Sequence, residues 1–247
     1  MRQLILNGRL KFDRIFFPQN CLLCNIAAGA HALCDACLAD LPLHSEPACP
    51  VCAHPFPADA PSSDQHSEPG SGEICGACLK QPPRFKHCLA AYTYRFPVDK
   101  LIGAFKYHQQ FSLVDILTAP LIARASGTKL PDALVAMPLH PRRLRERGFN
   151  QSLLLARRIA RQLGLPLLET ACQRVRDTAP QTTLSVDERR SNLRNAFICP
   201  GEIAGKRIAI IDDVMTSGSS LDNLSRALLK AGASEVECWV SARAALP

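Results

Sequence analysis

The stretch RIAIIDDVMTSGSSL, residues 207–221, constrains this chain more than any other part of it. Ile208, Ala209, Ile210 and Ile211 make a short apolar run, suited to a strand buried on both faces of a parallel sheet. The run stops at two carboxylates, Asp212 and Asp213, and Thr216, Ser217, Gly218, Ser219 and Ser220 follow. A helical period then begins, with Leu221, Leu224, Ala227, Leu228 and Ala231 on one side and Gly232 as a stop. Strand, acidic pair, hydroxyl-rich turn and helix together make a layout for phosphate. Gly218 permits a tight turn, free backbone N–H groups at a helix start face an anion, and hydroxyls add donors. The two carboxylates cannot serve that phosphate themselves. They suit the vicinal hydroxyls of a sugar, a divalent cation, or both. A plain strand running into a polar turn needs none of this in register, and a receiver-type acidic pocket does not need the hydroxyl–glycine turn.

The second constraint is cysteine. Eight of the 12 cysteines fall into four Cys-x-x-Cys pairs: Cys21/Cys24, Cys34/Cys37, Cys49/Cys52 and Cys75/Cys78. One such turn offers two thiolates to an ion, and two turns complete a closed tetrahedral Zn²⁺ site. The spacing fits two successive ribbons, 21/24 with 34/37 and 49/52 with 75/78, although a cross-braced pairing satisfies it too. All-thiolate ligation implies a structural metal, because a catalytic zinc keeps an open position. His31, His44, His54, His66 and His87 are expected at the surface, since eight thiolates already satisfy two ions. Cys88, Cys172, Cys199 and Cys238 read as isolated, buried small residues. Residues 53–73, rich in Pro, Ser, Asp and Gly, read as a solvated loop.

Charge divides the chain. Residues 1–88 hold 7 Lys/Arg against 8 Asp/Glu, whereas residues 89–247 hold 22 against 14. The net charge of +7 therefore belongs to the part with the phosphate-like loop, which suits phosphate-bearing ligands or nucleic acid. No apolar run approaches the roughly 18 residues of a membrane span. No signal-type h-region opens the chain, so a cytoplasmic setting is expected, where clustered cysteines favour metal over disulfides. Residues 1–17 are expected to form an amphipathic helix or arm.

The remaining pattern predicts a strand over 88–95, a helix over 98–107, and a helix over 112–125 broken or bent at Pro120. A short buried strand is expected over 134–139. It runs into PLHPRRLRERGFNQ, residues 138–151, an arginine-rich loop at the edge where open α/β sheets bind ligands. Arginine presents a fork of donors matched to phosphate oxygens. A helix follows over 150–163, with Leu153, Ala156, Ile159, Ala160 and Leu163 inward, then a strand near 167–175. Residues 174–197, RVRDTAPQTTLSVDERRSNLRNAF, suggest a polar flap that excludes water from the site. A last strand over 236–240 is expected to close the sheet.

The segment IIDDVMTSGSS resembles the phosphoribosyl-pyrophosphate (PRPP) loop of type I phosphoribosyltransferases. Together with the paired cysteines, PLHPRRLRERGFNQ and RDTAPQTTLSVDERRSNLRNAF, it makes the chain similar to the ComF family, bacterial phosphoribosyltransferase-like proteins linked to competence and DNA uptake. The resemblance implies an α/β fold: a type I phosphoribosyltransferase-like parallel sheet flanked by helices, with a small N-terminal zinc-ribbon module. The implied organisation is an arm over 1–20, a double zinc ribbon over 21–87 and a phosphoribosyltransferase-like domain over 88–247. By the same resemblance Asp212 and Asp213 hold the ribose hydroxyls and Thr216, Ser217, Gly218, Ser219 and Ser220 wrap the 5′-phosphate. The resemblance also implies that Pro138, Leu139 and His140 meet the pyrophosphate and that Mg²⁺ accompanies PRPP, while Arg143 and Arg147 of the arginine-rich stretch are the residues expected to stabilise its charge. Three readings stand open: a pentosyltransferase acting on an unknown acceptor, a single-stranded-DNA-binding protein, and a docking module for a DNA-uptake helicase.

Overall fold

The computed structural model describes residues 20–29, 31–45, 47–56, 73–176 and 196–245. The expected N-terminal arm, most of the 53–73 loop and most of the 174–197 flap lie outside the described residues. In chain order the elements are α1 (Asp35–Ala39), α2 (Gly76–Lys80), β1 (Cys88–Thr93), α3 (Val98–Tyr107), α4 (Val114–Ala125), β2 (Ala133–Ala136), α5 (Pro141–Arg147), α6 (Gln151–Leu163), β3 (Gln173–Arg174), β4 (Phe197–Ile198), β5 (Arg207–Met215), α7 (Ser219–Lys230) and β6 (Glu235–Arg243).

Four strands form a parallel sheet in the order β1-β6-β5-β2. The last strand therefore lies inside the sheet instead of closing it. Its side chains suit the place: Val236, Cys238, Trp239, Val240 and Ala242 are all buried, as a strand covered on both faces requires. Strand alternation splits the core in two. Ile208, Ile210, Cys238 and Val240 pack with Leu221, Leu224 and Leu228 of α7. Ala209, Ile211, Trp239 and Ala242 pack with residues of α3, α4 and α6. The ribbons divide the same way. Cys49, Cys52, Cys75 and Cys78 join the α7 side, while Cys21, Leu33 and Leu41 join the other.

Three expectations change. Helix α4 runs unbroken through Pro120. Proline lacks the N–H that would bond the carbonyl four residues earlier; here the Tyr92 hydroxyl donates to that carbonyl, Ile116 O, at 2.9 Å. In α6 the fully buried leucine is Leu155, with Leu153 and Leu163 only half-buried. The strand expected near 167–175 shrinks to two residues, β3, paired antiparallel with β4.

Candidate functional site

β5 does not end at the acidic pair. It continues through Asp212 and Asp213 to Met215, still in register with β6, whose Val240 pairs Asp212 and whose Arg243 pairs Met215. The carboxylates therefore sit on rigid strand backbone. Asn150 caps α6, accepting from Leu153 N–H at 3.3 Å and donating to Met137 O at 3.1 Å. These two hydrogen bonds fix the first turn of α6 against the end of β2 and bring Ser152 to the acidic pair. Ser152 Oγ donates to Asp212 Oδ1 at 2.8 Å, and Asp213 N–H donates to the same oxygen at 2.9 Å. From α3, Lys106 Nζ reaches Asp213 Oδ2 at 2.9 Å.

Burial, and then the charge of Asp213, pushes the Asp212 carboxyl up to about 7, against the opposing hydrogen bonds and Lys106. Burial alone would lower the Lys106 ammonium, but the adjacent Asp213 outweighs it and holds the lysine charged. Three ionisable groups thus face one another, with one cation to two carboxylates.

Gly218, at φ 75°, caps α7 in the left-handed region. A Cβ there would also meet Met215 Cε at 2.6 Å, which that flexible side chain can relieve, so it is the turn that requires glycine. Ser217 Oγ and Ser219 Oγ lie 2.9 Å apart, while Thr216 and Ser217 are exposed. Beneath the loop lies Arg243, 1% exposed. Its guanidinium donates to Thr216 O at 2.7 Å, to Met215 O at 3.2 Å, to Ala244 O, and through Nε to Cys52 O at 2.7 Å. A buried guanidinium is tolerated only when its fork of donors is satisfied, and here backbone carbonyls do so.

The arginine-rich stretch is a helix, not a loop. His140 caps it, its Nδ1 accepting from Arg142 N–H at 3.3 Å, and Gly148 ends it at φ 80°. Glu146 holds Arg142 at 2.9 Å and Arg143 at 3.5 Å. Arg143 and Arg147, four residues apart, share a face. The Arg147 guanidinium lies 5.5 Å from the ring centroid of Tyr107, the residue after Lys106. The end of α3 is therefore tied to the acidic pair by one residue and to the arginine helix by the next. Pro138 is buried, and Leu139 and His140 are half-buried between β2 and α5.

The cysteines settle into two clusters, Cys21–Cys24–Cys34–Cys37 and Cys49–Cys52–Cys75–Cys78, each with its Sγ atoms within 4.8 Å of one another. Consecutive pairing therefore holds, and cross-bracing does not. Cys24 and Cys34 Sγ lie 3.6 Å apart, as do Cys52 and Cys75 Sγ. Zinc–sulfur bonds of about 2.3 Å at tetrahedral angles put sulfurs roughly 3.8 Å apart, so both clusters fit Zn²⁺. His44 departs from expectation: it is 4% exposed, and its Nε2 lies 2.8 Å from Ala53 O. A histidine in the ribbon core serves packing, as a surface one would not.

The second cluster borders the hydroxyl-rich loop. A cleft of about 180 Å³ is walled by Cys52, Cys78 and Phe85 on one side and by Ser217, Gly218 and Asp222 on the other. Arg84 N–H, beyond α2, donates to Asp222 Oδ1 at 2.6 Å, fastening the ribbon's exit onto α7. Of these residues, sequence reasoning missed Ser152, Lys106 as an ion-pair partner, and Arg243. Arg243 left one signal: an arginine between Ala242 and Ala244, at the end of an apolar run, needs buried acceptors.

Comparison with known proteins follows the same division. The chain matches a double zinc ribbon domain over residues 12–79 and a phosphoribosyl transferase domain over residues 150–245. It is 34% identical over 241 residues to "Competence protein F" of Haemophilus influenzae, covering 93% of this chain and 99% of that protein. It is 32% identical over 234 residues to "DNA utilization protein YhgH" of Escherichia coli K12, covering 92% and 97%. "Competence protein ComFC" of Bacillus subtilis is more distant, 25% identical over 203 residues, covering 81% and 79%. Among the described residues, no helix is long and apolar enough to cross a membrane. With two four-thiolate clusters ahead of a parallel sheet, and relatives aligned along nearly its whole length, the chain belongs to the competence protein F (ComF) family, a phosphoribosyltransferase fold carrying an N-terminal double zinc ribbon.

Proposed function

We propose that the C-terminal edge of β5 binds PRPP and that the protein transfers its phosphoribosyl group to an acceptor in DNA handling during competence. The observation that carries this reading is the run of one rigid strand into one loop: Asp212 and Asp213, then Thr216–Ser220, then the first turn of α7. In this reading the 5′-phosphate lies on the loop, taking donors from Ser217, Ser219 and the α7 backbone. The ribose hydroxyls donate to Asp212 and Asp213, replacing part of what Ser152 and Lys106 supply without ligand. The pyrophosphate faces Pro138–His140 and the Arg143/Arg147 face of α5. Transfer breaks the bond from ribose C1 to pyrophosphate oxygen and forms one from C1 to the acceptor's nucleophile. Positive charge grows on the sugar beside the two carboxylates, and negative charge leaves toward the arginines. Mg²⁺, bound with PRPP, would neutralise the departing pyrophosphate. The second ribbon walls the loop where Cys52 and Phe85 stand, so in this reading it borders the end of the ligand that carries the 5′-phosphate. A cytoplasmic setting suits this reading, since thiols stay reduced there and available to zinc. Release of pyrophosphate from PRPP in the presence of competence-stage nucleotides or DNA tests the transfer; consumption of PRPP at the buffer rate opposes it.

A second reading has its own observation. Tyr107 is 70% exposed beneath Arg147, next to the exposed arginines of α5. Interleaved aromatic and basic side chains suit single-stranded DNA, with bases on the ring and phosphates on the arginines. DNA binding that weakens steeply with salt and is lost in Tyr107→Ala supports this reading; salt-insensitive retention on a helicase column supports docking instead.

A further inference from the structure

Two of the four cysteines outside the ribbons are not isolated, as the sequence suggested. β3 and β4 pair antiparallel, with Gln173 against Ile198 and Arg174 against Phe197. One step further along, the same register sets Cys172 against Cys199. Val175 N–H donates to Ala196 O at 2.8 Å, so that pair is hydrogen-bonded. Alternation then makes Cys172 and Cys199 a non-hydrogen-bonded pair, the kind with Cα atoms about 4.5 Å apart and the closest side chains. A disulfide spans Cα separations of about 4.4–6.8 Å, so the bond would need little backbone movement. The next residues keep the two chains pressed together: a Cβ on Gly201 would meet Ala171 Cα at 2.7 Å.

The neighbouring Cys199, together with burial, pushes the Cys172 thiol up, whereas Cys172 draws the Cys199 thiol down against its burial. Cys172 is buried, whereas Cys199 is half-exposed and lines a cleft of about 670 Å³ between β4 and α7. Arg226 and Lys230 line the same cleft. A thiol that opens toward cations favours its thiolate. By contrast, Cys88 and Cys238, register partners on β1 and β6, are buried within the sheet.

We propose that Cys172 and Cys199 form a reversible dithiol–disulfide site, with Cys199 as the attacking thiolate and a hydroperoxide as oxidant. The Cys199 thiolate attacks the terminal peroxide oxygen, the O–O bond breaks, and Cys199 becomes a sulfenic acid as hydroxide, or alkoxide, leaves. The Cys172 thiol then attacks the Cys199 sulfur, its proton goes to the departing hydroxide, and water is released as the S–S bond forms. The two thiols lose two electrons in all, and the peroxide takes them up. A dithiol reverses the bond by exchange. The bond would staple together the two ends of the segment between β3 and β4. This site stands independently of PRPP binding.

The test uses the full-length, zinc-loaded protein with stoichiometric hydrogen peroxide, followed by thiol alkylation, proteolysis and mass spectrometry. A linked peptide joining Cys172 to Cys199, two hydrogens lighter than the separate thiol peptides, is expected. It should disappear on dithiothreitol treatment and form while a metallochromic dye detects no released zinc. Cys172→Ser should instead leave Cys199 as a sulfenic acid trapped by dimedone, at least about tenfold more than at Cys88 or Cys238, as exposure and thiolate character dictate. Should that variant fail to fold, the wild-type peptide map decides alone. Zinc release before any Cys172–Cys199 linkage, or equal labelling of all four cysteines, would overturn the proposal.

Discussion

Arg243 and Cys52 lie 191 residues apart in the chain, yet Arg243 Nε donates to the Cys52 carbonyl at 2.7 Å. The same guanidinium donates to Thr216 O at 2.7 Å. One buried side chain thus joins a zinc-site backbone to the loop that precedes α7. Arg243→Ala strips donors from several buried carbonyls, each costing about 1–3 kcal/mol when left unmade. We expect a loss of at least about 2 kcal/mol in urea unfolding, with zinc still bound. Unchanged stability would mean that water replaces the guanidinium without cost.

Two zinc ions per chain are expected by metal analysis of protein purified under reducing conditions. Cys34→Ser should release one ion and leave the Arg243 link intact. Cys75→Ser should release the other and loosen the loop as well, because its cluster contains Cys52. Chelation titrations of the two variants separate these effects, and identical consequences for ligand affinity would break the proposed coupling between ribbon and loop.

Without ligand, Asp212 makes stability depend on pH. Its carboxyl stands at about 7, above the roughly 4 of an unfolded aspartate. Between those values the folded state holds more proton than the unfolded, so this group removes stability as pH rises through the window. Asp213, Lys106 and Ser152 are the groups that face it. Asp212→Asn should therefore gain melting temperature relative to wild type as pH goes from about 5 to 8. A constant difference across that range would show that Asp212 titrates normally.

For the arginine helix, Arg143→Ala with Arg147→Ala should weaken PRPP binding more than folding. Exposed or half-exposed arginines matter to stability by about 0.5 kcal/mol or less. Calorimetric titration and thermal melting of the same preparation decide this. Equal PRPP affinity would return α5 to a solvated basic surface.

Much of this was legible in the chain because local chemistry carried it. The apolar run Ile208–Ile211, the hydroxyl–glycine turn and the four Cys-x-x-Cys pairs announce strand, loop and metal sites from neighbours alone. What escaped depends on distant partners. Pro120 stays inside its helix because Tyr92, from another element, meets the carbonyl that proline leaves unbonded. The arginine stretch is helical because His140 and Gly148 cap it, a pattern masked by its charge. Ser152, Lys106 and Arg243 reach the site through tertiary packing. No periodicity reports that. Cys172 and Cys199 met only through the β3–β4 register, set by two residues on each strand.

The central claim is that Asp212, Asp213 and the loop after them form a ligand site and not merely a turn. Asp212→Asn with Asp213→Asn keeps shape while removing charge, so a structural turn should tolerate the pair. A site that gathers sugar hydroxyls should not, because charge-assisted hydrogen bonds are roughly twice as strong as neutral ones. Calorimetric titration of PRPP with Mg²⁺ into wild type and the double variant tests this most directly. The account predicts binding by wild type and a folded variant weakened by at least about tenfold, or roughly 1.4 kcal/mol. Equal affinity in both proteins, or no binding by wild type, would contradict it.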